Sequence, residues 1–225
     1  MLKFDLQRFG GRGATDDLGG NGGGDNGVSS YDKGPGIVEF DAKDDKAASE
    51  AMAGIEAMRE EYPGVMDEVA DVFIAEKIKT NDGSVPMAFY GADGLGINEK
   101  FANSKKMDAA YDMDVKAGFH PGRGGKSGLE AVVSHELGHA LTNLAGKRLG
   151  QSLDQAAKTI VKRAANAGKF KTTTELAAAV SGYAKQSYAE CVAEAVADVH
   201  CNGSTASAAS KAIVNQLNKI LSKRR

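Results

Sequence analysis

The pentad His135-Glu136-Leu137-Gly138-His139 constrains this chain more than any other feature. On a helix of 3.6 residues per turn, positions i and i+4 share a face one turn apart, so both imidazoles can reach one ion. Neutral imidazole nitrogens bind Zn²⁺ at about 2.0–2.1 Å. Glu136 stands just beside that face, where it can take a proton from a metal-bound water without being a ligand. Two of the four histidines fall in this motif. The rival interpretation is a chance match on an ordinary helix. Val133, Leu137, Ala140, Leu141 and Leu144 speak against it. They form an apolar stripe at helical spacing, expected to bury one side and leave His135, Glu136 and His139 to line a cleft.

A length of 225 residues suits one domain plus a tail. With 28 basic and 30 acidic residues the charge is near neutral, which predicts neither a nucleic-acid nor a membrane surface. No apolar run is long enough to span a bilayer, and residues 1–30 lack the apolar core of a signal peptide. Cys191 and Cys201 share one helical stretch, and their spacing points them apart, which argues against a disulfide. The expected location is the cytosol, or a particle assembled in the cytosol.

Residues 1–9 alternate apolar and polar side chains, with Leu2, Phe4 and Leu6 on one face of a strand-like peptide. Residues 10–36 are rich in Gly, Asp, Asn and Ser and read as a flexible linker. This divides the chain into a docking peptide with linker, 1–36, and a folded domain, 37–225. Within the domain, the pattern predicts a helix over 42–61 and a second over 65–79, with Val65, Val69, Val72, Phe73 and Ile78 buried. Short strands are expected at 85–90 and 95–98, and a third at 111–115. A Gly-rich loop, 119–128, leads into the motif helix. Its Gly125-Lys126-Ser127 resembles the end of a phosphate loop, but the opening glycine would fall at His120, so a nucleotide site is rejected. Thr172 and Glu175 form a capping-box pattern, helices follow over 187–201 and 205–222, and Lys223-Arg224-Arg225 reads as a solvated helix end.

Catalytic zinc takes three protein ligands and keeps one position open. No His follows His139 at the spacing that would complete a third ligand nearby. The best remaining source is the stretch 181–195, where Glu190 and Glu194 lie i, i+4 on a helix rich in small and apolar residues. A buried Glu is rare unless it is paired or bound to metal. Asp198 lies two turns along the same face, too far to share an ion. His200 reads as structural, at a helix end where a cation suits the dipole. His120 reads as a loop residue with a local hydrogen bond, with a substrate contact or a rival ligand as the alternatives. Cys191 reads as a buried structural thiol.

The order of HELGH, then Ser181-Gly182-Tyr183-Ala184, then Glu190, then Ala193-Glu194-Ala195, resembles the gluzincin metalloproteases, in particular the catalytic domain of anthrax lethal factor. The resemblance covers roughly residues 85–200. It implies an α+β zincin-like fold, mainly helical with a small antiparallel sheet, and a Zn²⁺-dependent endopeptidase. By that match Glu190 is the third zinc ligand and Tyr183 the phenol that steadies the oxyanion, with Tyr188 as its competitor. Glu194 is then the acid that holds a zinc-bound His. Leu95–Asn98 would be the cleft-rim strand that pairs with a protein or peptide substrate. This chain departs from the family in carrying Cys191-Val192 after the ligand Glu, where a large aromatic is usual. Separately, Met1-Leu2-Lys3-Phe4-Asp5-Leu6-Gln7-Arg8-Phe9-Gly10-Gly11-Arg12-Gly13 resembles the N-terminal peptide of tailed-phage head proteins. That implies a phage or prophage protein docked to head proteins through residues 1–13. The alternatives are a non-enzymatic head-associated protein with a zinc-stabilised domain, and a delivered toxin-like protease.

Overall fold

The computed structural model describes residues 28–40, 44–81 and 83–222. Among the described residues, four strands, β1 (Val28–Gly36), β2 (Val72–Thr80), β3 (Ala88–Gly91) and β4 (Gly94–Asn98), form one sheet in the order β1-β2-β4-β3. Seven α-helices of the described residues accompany it: α1 (Asp45–Glu61), α2 (Ser104–Lys116), α3 (Gly128–Leu149), α4 (Leu153–Ala167), α5 (Thr173–Ala178), α6 (Tyr188–Asn202) and α7 (Ala208–Leu221). The architecture is therefore α+β and mainly helical. The docking peptide 1–13, the linker up to residue 27 and Lys223-Arg224-Arg225 lie outside the described residues.

Helix α3 is the centre of the molecule. It starts on a capping box in which the Ser127 hydroxyl accepts from the Glu130 N–H and the Glu130 carboxylate accepts from the Ser127 N–H. It ends at Gly150, whose φ of 66° supplies the left-handed stop. Every residue from Ala131 to Thr142 is buried. The expectation of one buried side and one cleft side is thus corrected. Helices α1, α2, α4, α6 and α7 and strand β3 all pack on α3, so the apolar stripe and the polar face are both covered. Helix α7 buries Ile213, Leu217 and Ile220.

Five other expectations are corrected. The second helix over 65–79 is instead a 3-10 turn, Val65–Glu68, followed by strand β2. A strand with both faces covered reads as an apolar run, which resembles a buried helix. Phe73 and Ala75 point to a small cluster with Val28 and Phe89, while Ile74 joins the main core on the other face. The expected strand at 111–115 belongs to α2, whose buried Met107, Ala110, Tyr111 and Asp114 repeat at helical spacing behind an Asn103 cap. Residues 28–36, assigned to the linker, form β1 and pair antiparallel with β2, so the folded part begins before Ile37. The sheet is mixed rather than antiparallel, because β2 and β4 run parallel. Leu95–Asn98 lies between β2 and β3, so it has no free edge; β3 is the edge strand on the side packed against α3.

Candidate metal centre

Helices α3 and α6 bring the two motifs together. They cross where α3 carries Gly138. A Cβ there would sit 2.8 Å from the Ala193 Cα and 3.2 Å from the Val196 Cβ, so the glycine of HELGH sets how closely α6 can approach. Glu190 and Glu194 flank this crossing, one turn apart on α6. Replacing Gly138 by Ala is therefore expected to destabilise the fold although Ala is the better helix former. Overpacking a tight contact costs about 1–3 kcal/mol, against the ~1 kcal/mol that Ala gains over Gly inside a helix. Urea unfolding measures the balance, and a more stable variant would show that the contact sets no constraint.

The imidazoles of His135 and His139 and the carboxylate of Glu190 each offer one ligand atom, and these three atoms lie within 4.8 Å of one another. His135 Nε2 is 3.1 Å from Glu190 Oε2, and His139 Nε2 is 3.5 Å from the same oxygen. His139 Nε2 and Glu190 Oε2 are buried and find no well-formed hydrogen bond among the described residues. Buried polar atoms that face one another without donating or accepting suit an ion between them. The two-nitrogen, one-oxygen donor set suits zinc and several other divalent ions. Burial works against the charge on Glu190, but the neighbouring imidazoles of His139 and His135 outweigh it and hold the carboxyl well below the usual range.

Glu194 is the anchor of the group. One of its oxygens, Oε1, lies 2.9 Å from His135 Nδ1 and 3.0 Å from His120 Nδ1; Oε2 accepts from the Ser181 hydroxyl at 2.7 Å. Burial again raises its pKa, yet the neighbouring imidazoles of His120 and His135 prevail and bring it down to about 2. Burial likewise opposes the imidazolium of His135, but Glu190 and Glu194 outweigh burial and raise its pKa well above that of a free imidazole. Glu136 is fully buried, and burial lifts its carboxyl above the ordinary range despite His135 and His139.

No family model, curated protein or solved structure matches this chain. The residues themselves therefore carry the functional argument.

Tyr183 sits in the 3-10 turn Tyr183–Lys185 with its side chain fully buried. Its ring centroid is 5.9 Å from that of His135 and 5.4 Å from that of His120. Its backbone N–H donates to the Phe119 carbonyl at 2.9 Å, which ties the turn to the Gly-rich loop. Tyr188 instead lies under the ammonium of Lys158 on α4, 5.8 Å from the ring centre. Of the two tyrosines, Tyr183 is the one that joins the imidazole cluster.

Other residues take structural places. Asp198 accepts from the Asn202 side chain at 2.8 Å and from the Ser207 N–H at 3.0 Å, fastening α6 to the start of α7. His200 is pushed below its ordinary pKa by burial and by Lys126. The neutral imidazole is thereby favoured, which corrects the view of it as a cation on the helix dipole. Cys191 and Cys201 are both buried free thiols; burial pushes both up, Cys201 to about 12, so neither is a ready nucleophile. Ser127 and Lys126 are occupied with the α3 cap and with Glu130.

The sequence undervalued His120 and missed Ser181 and Gly138. No periodicity links His120 to Glu194, which lies 74 positions on. Gly138 did carry a signal: a glycine inside a long helix loses about 1 kcal/mol against Ala and so points to a close approach.

Proposed function

We propose that this chain is a zinc-dependent endopeptidase of the gluzincin type, resembling the lethal factor catalytic domain. The observation that carries the reading is the convergence of His135, His139 and Glu190 within 4.8 Å, beside a fully buried Glu136. Those three residues would hold the ion. Zinc, when bound, supplies Lewis acidity that polarises a carbonyl and lowers the pKa of a water to about 7. Glu136 takes the proton from the attacking water and passes it to the leaving amine. Its raised pKa brings it nearer the range in which a carboxyl both accepts and releases a proton. Tyr183 donates to the developing oxyanion. Glu194 keeps His135 protonated at Nδ1, which leaves the Nε2 lone pair on the side of Glu190. The edge strand β3, rather than Leu95–Asn98, is the place for an extended substrate backbone to pair.

A purely structural zinc site closes with four protein ligands and has no use for a base. Three clustered donors with Glu136 beside them favour the enzyme over the zinc-stabilised head protein. Purified protein is expected to cleave members of a peptide library, to lose that activity to a chelator, and to regain it with added zinc. Stoichiometric zinc without any cleavage would favour the non-enzymatic reading.

The N-terminal peptide, by its resemblance to phage head proteins, supports a head-associated setting in the host cytoplasm or virion. An alternating peptide can add to an exposed sheet edge of a partner. Deleting residues 1–13 is expected to leave peptide cleavage intact and to abolish co-assembly with phage head proteins. Entry of the truncated protein into particles at the full level would sink the docking role.

A further inference from the structure

We infer that His120 is a positioning residue of the metal centre, holding Glu194 and, through it, the ring of His135. The inference rests on the reading that His135, His139 and Glu190 bind an ion. Glu194 Oε1 receives both imidazoles, His120 Nδ1 at 3.0 Å and His135 Nδ1 at 2.9 Å. An ionised carboxylate only accepts, so both rings donate from Nδ1. For His135 this fixes the tautomer and presents Nε2 toward Glu190, 3.1 Å away. With the His120 contact gone, Oε1 keeps only His135, and the Ser181 hydroxyl on Oε2 is left to resist rotation of the carboxylate away from the ligand ring.

His120 is itself firmly held, as a positioning group must be. Its ring stacks on Tyr111 at 5.4 Å and 15°, and meets Phe119 and Tyr183 edge-on or nearly so. The loop that carries it is fastened on both sides. Arg123 Nε donates to Asp112 on α2 at 2.8 Å. The Asn202 side chain on α6 donates to the Gly122 carbonyl at 2.5 Å. Gly124, with φ 52°, lies so close to the Cys201 carbonyl that a Cβ would collide with it. Gly118 and Phe119 of the same loop accept from the N–H groups of Gly182 and Tyr183, each at 2.9 Å. Ser181, just before that turn, donates to the other Glu194 oxygen and accepts from the Ala184 N–H at 3.0 Å. One carboxylate thus joins the ligand helix, the loop of His120 and the turn of Tyr183.

The test separates hydrogen bonding from space filling. His120→Phe keeps an aromatic ring on Tyr111 but has no donor. His120→Asn loses the ring but keeps an N–H near the Nδ1 position. The readouts are the zinc dissociation constant by chelator competition and the absorption spectrum of the cobalt-substituted protein, with the thermal midpoint of metal-free protein as the fold control. His120→Phe is expected to weaken zinc about 10–100-fold and alter the cobalt spectrum, in line with the loss of a partner behind a metal ligand. His120→Asn is expected to lie close to wild type. Unchanged affinity in His120→Phe overturns the inference, and so does an equal loss in both variants. If His120→Phe lowers the metal-free midpoint, His120→Asn decides: retained affinity supports the positioning role and lost affinity overturns it. A wild-type protein that takes up no zinc overturns the metal reading and this inference together. Zinc-binding wild type with an unaffected, folded His120→Phe overturns this inference alone.

Discussion

Glu136→Gln is expected to abolish proteolysis while the protein stays folded and keeps its metal. The amide fills the same volume but cannot accept the proton that the carboxylate removes from water. Loss of a general base should lower the rate at least about a hundredfold. The position makes the test clean, because Glu136 is fully buried on α3 yet is not one of the three clustered donors. A peptide library incubated with wild type and variant, each assayed for zinc content, gives the comparison. Equal cleavage by both would remove Glu136 from the chemistry.

Glu190→Ala is expected to lose most of the zinc. Wild type should carry about one ion per chain, the stoichiometry of a three-ligand site with an open position. Removing Glu190 leaves only the two imidazoles of α3, and it also strips His135 Nε2 and His139 Nε2 of their common carboxylate. Asp198→Ala serves as the control, since Asp198 bonds to Asn202 and Ser207 instead of joining the cluster. Full zinc in Glu190→Ala together with loss in Asp198→Ala would reverse the assignment. Because each ligand must be deprotonated, zinc retention in wild type should also weaken as the pH falls through the range in which the site's imidazoles protonate.

The helical half of this molecule was legible because its signals are local. Capping residues mark where α3 and α5 begin, with Ser127 before one and Thr172 before the other. The spacing of His135 to His139 and of Glu190 to Glu194 needs only the pitch of a helix. The misreadings fall where the answer depends on distant parts of the chain. Strand β2 looks helical until its two faces are known to meet two different clusters. Residues 28–36 look like linker because their side chains are mostly exposed; what orders them is a backbone ladder to β2, which composition does not reveal. Tyr111–Val115 alternates like a strand over five residues, but the longer repeat from Met107 puts it on a helix. His120 shows the same limit in the site itself, since its partner Glu194 comes from another element altogether.

The exposures within the cluster are graded. The side chains of His120, His135 and Glu194 are at most 1% exposed, whereas His139 and Glu190 reach 5% and 6%. The group therefore has a dry end and a damp end. Changes at the dry end break hydrogen bonds sealed in the core, so they reach the ion only through the ring of His135 and can cost folding stability as well. Changes at the damp end leave a gap that water can reach, and they should spare the fold while altering what the site holds. What exposure the cluster retains lies at His139 and Glu190, so any contact with bulk water is at that end.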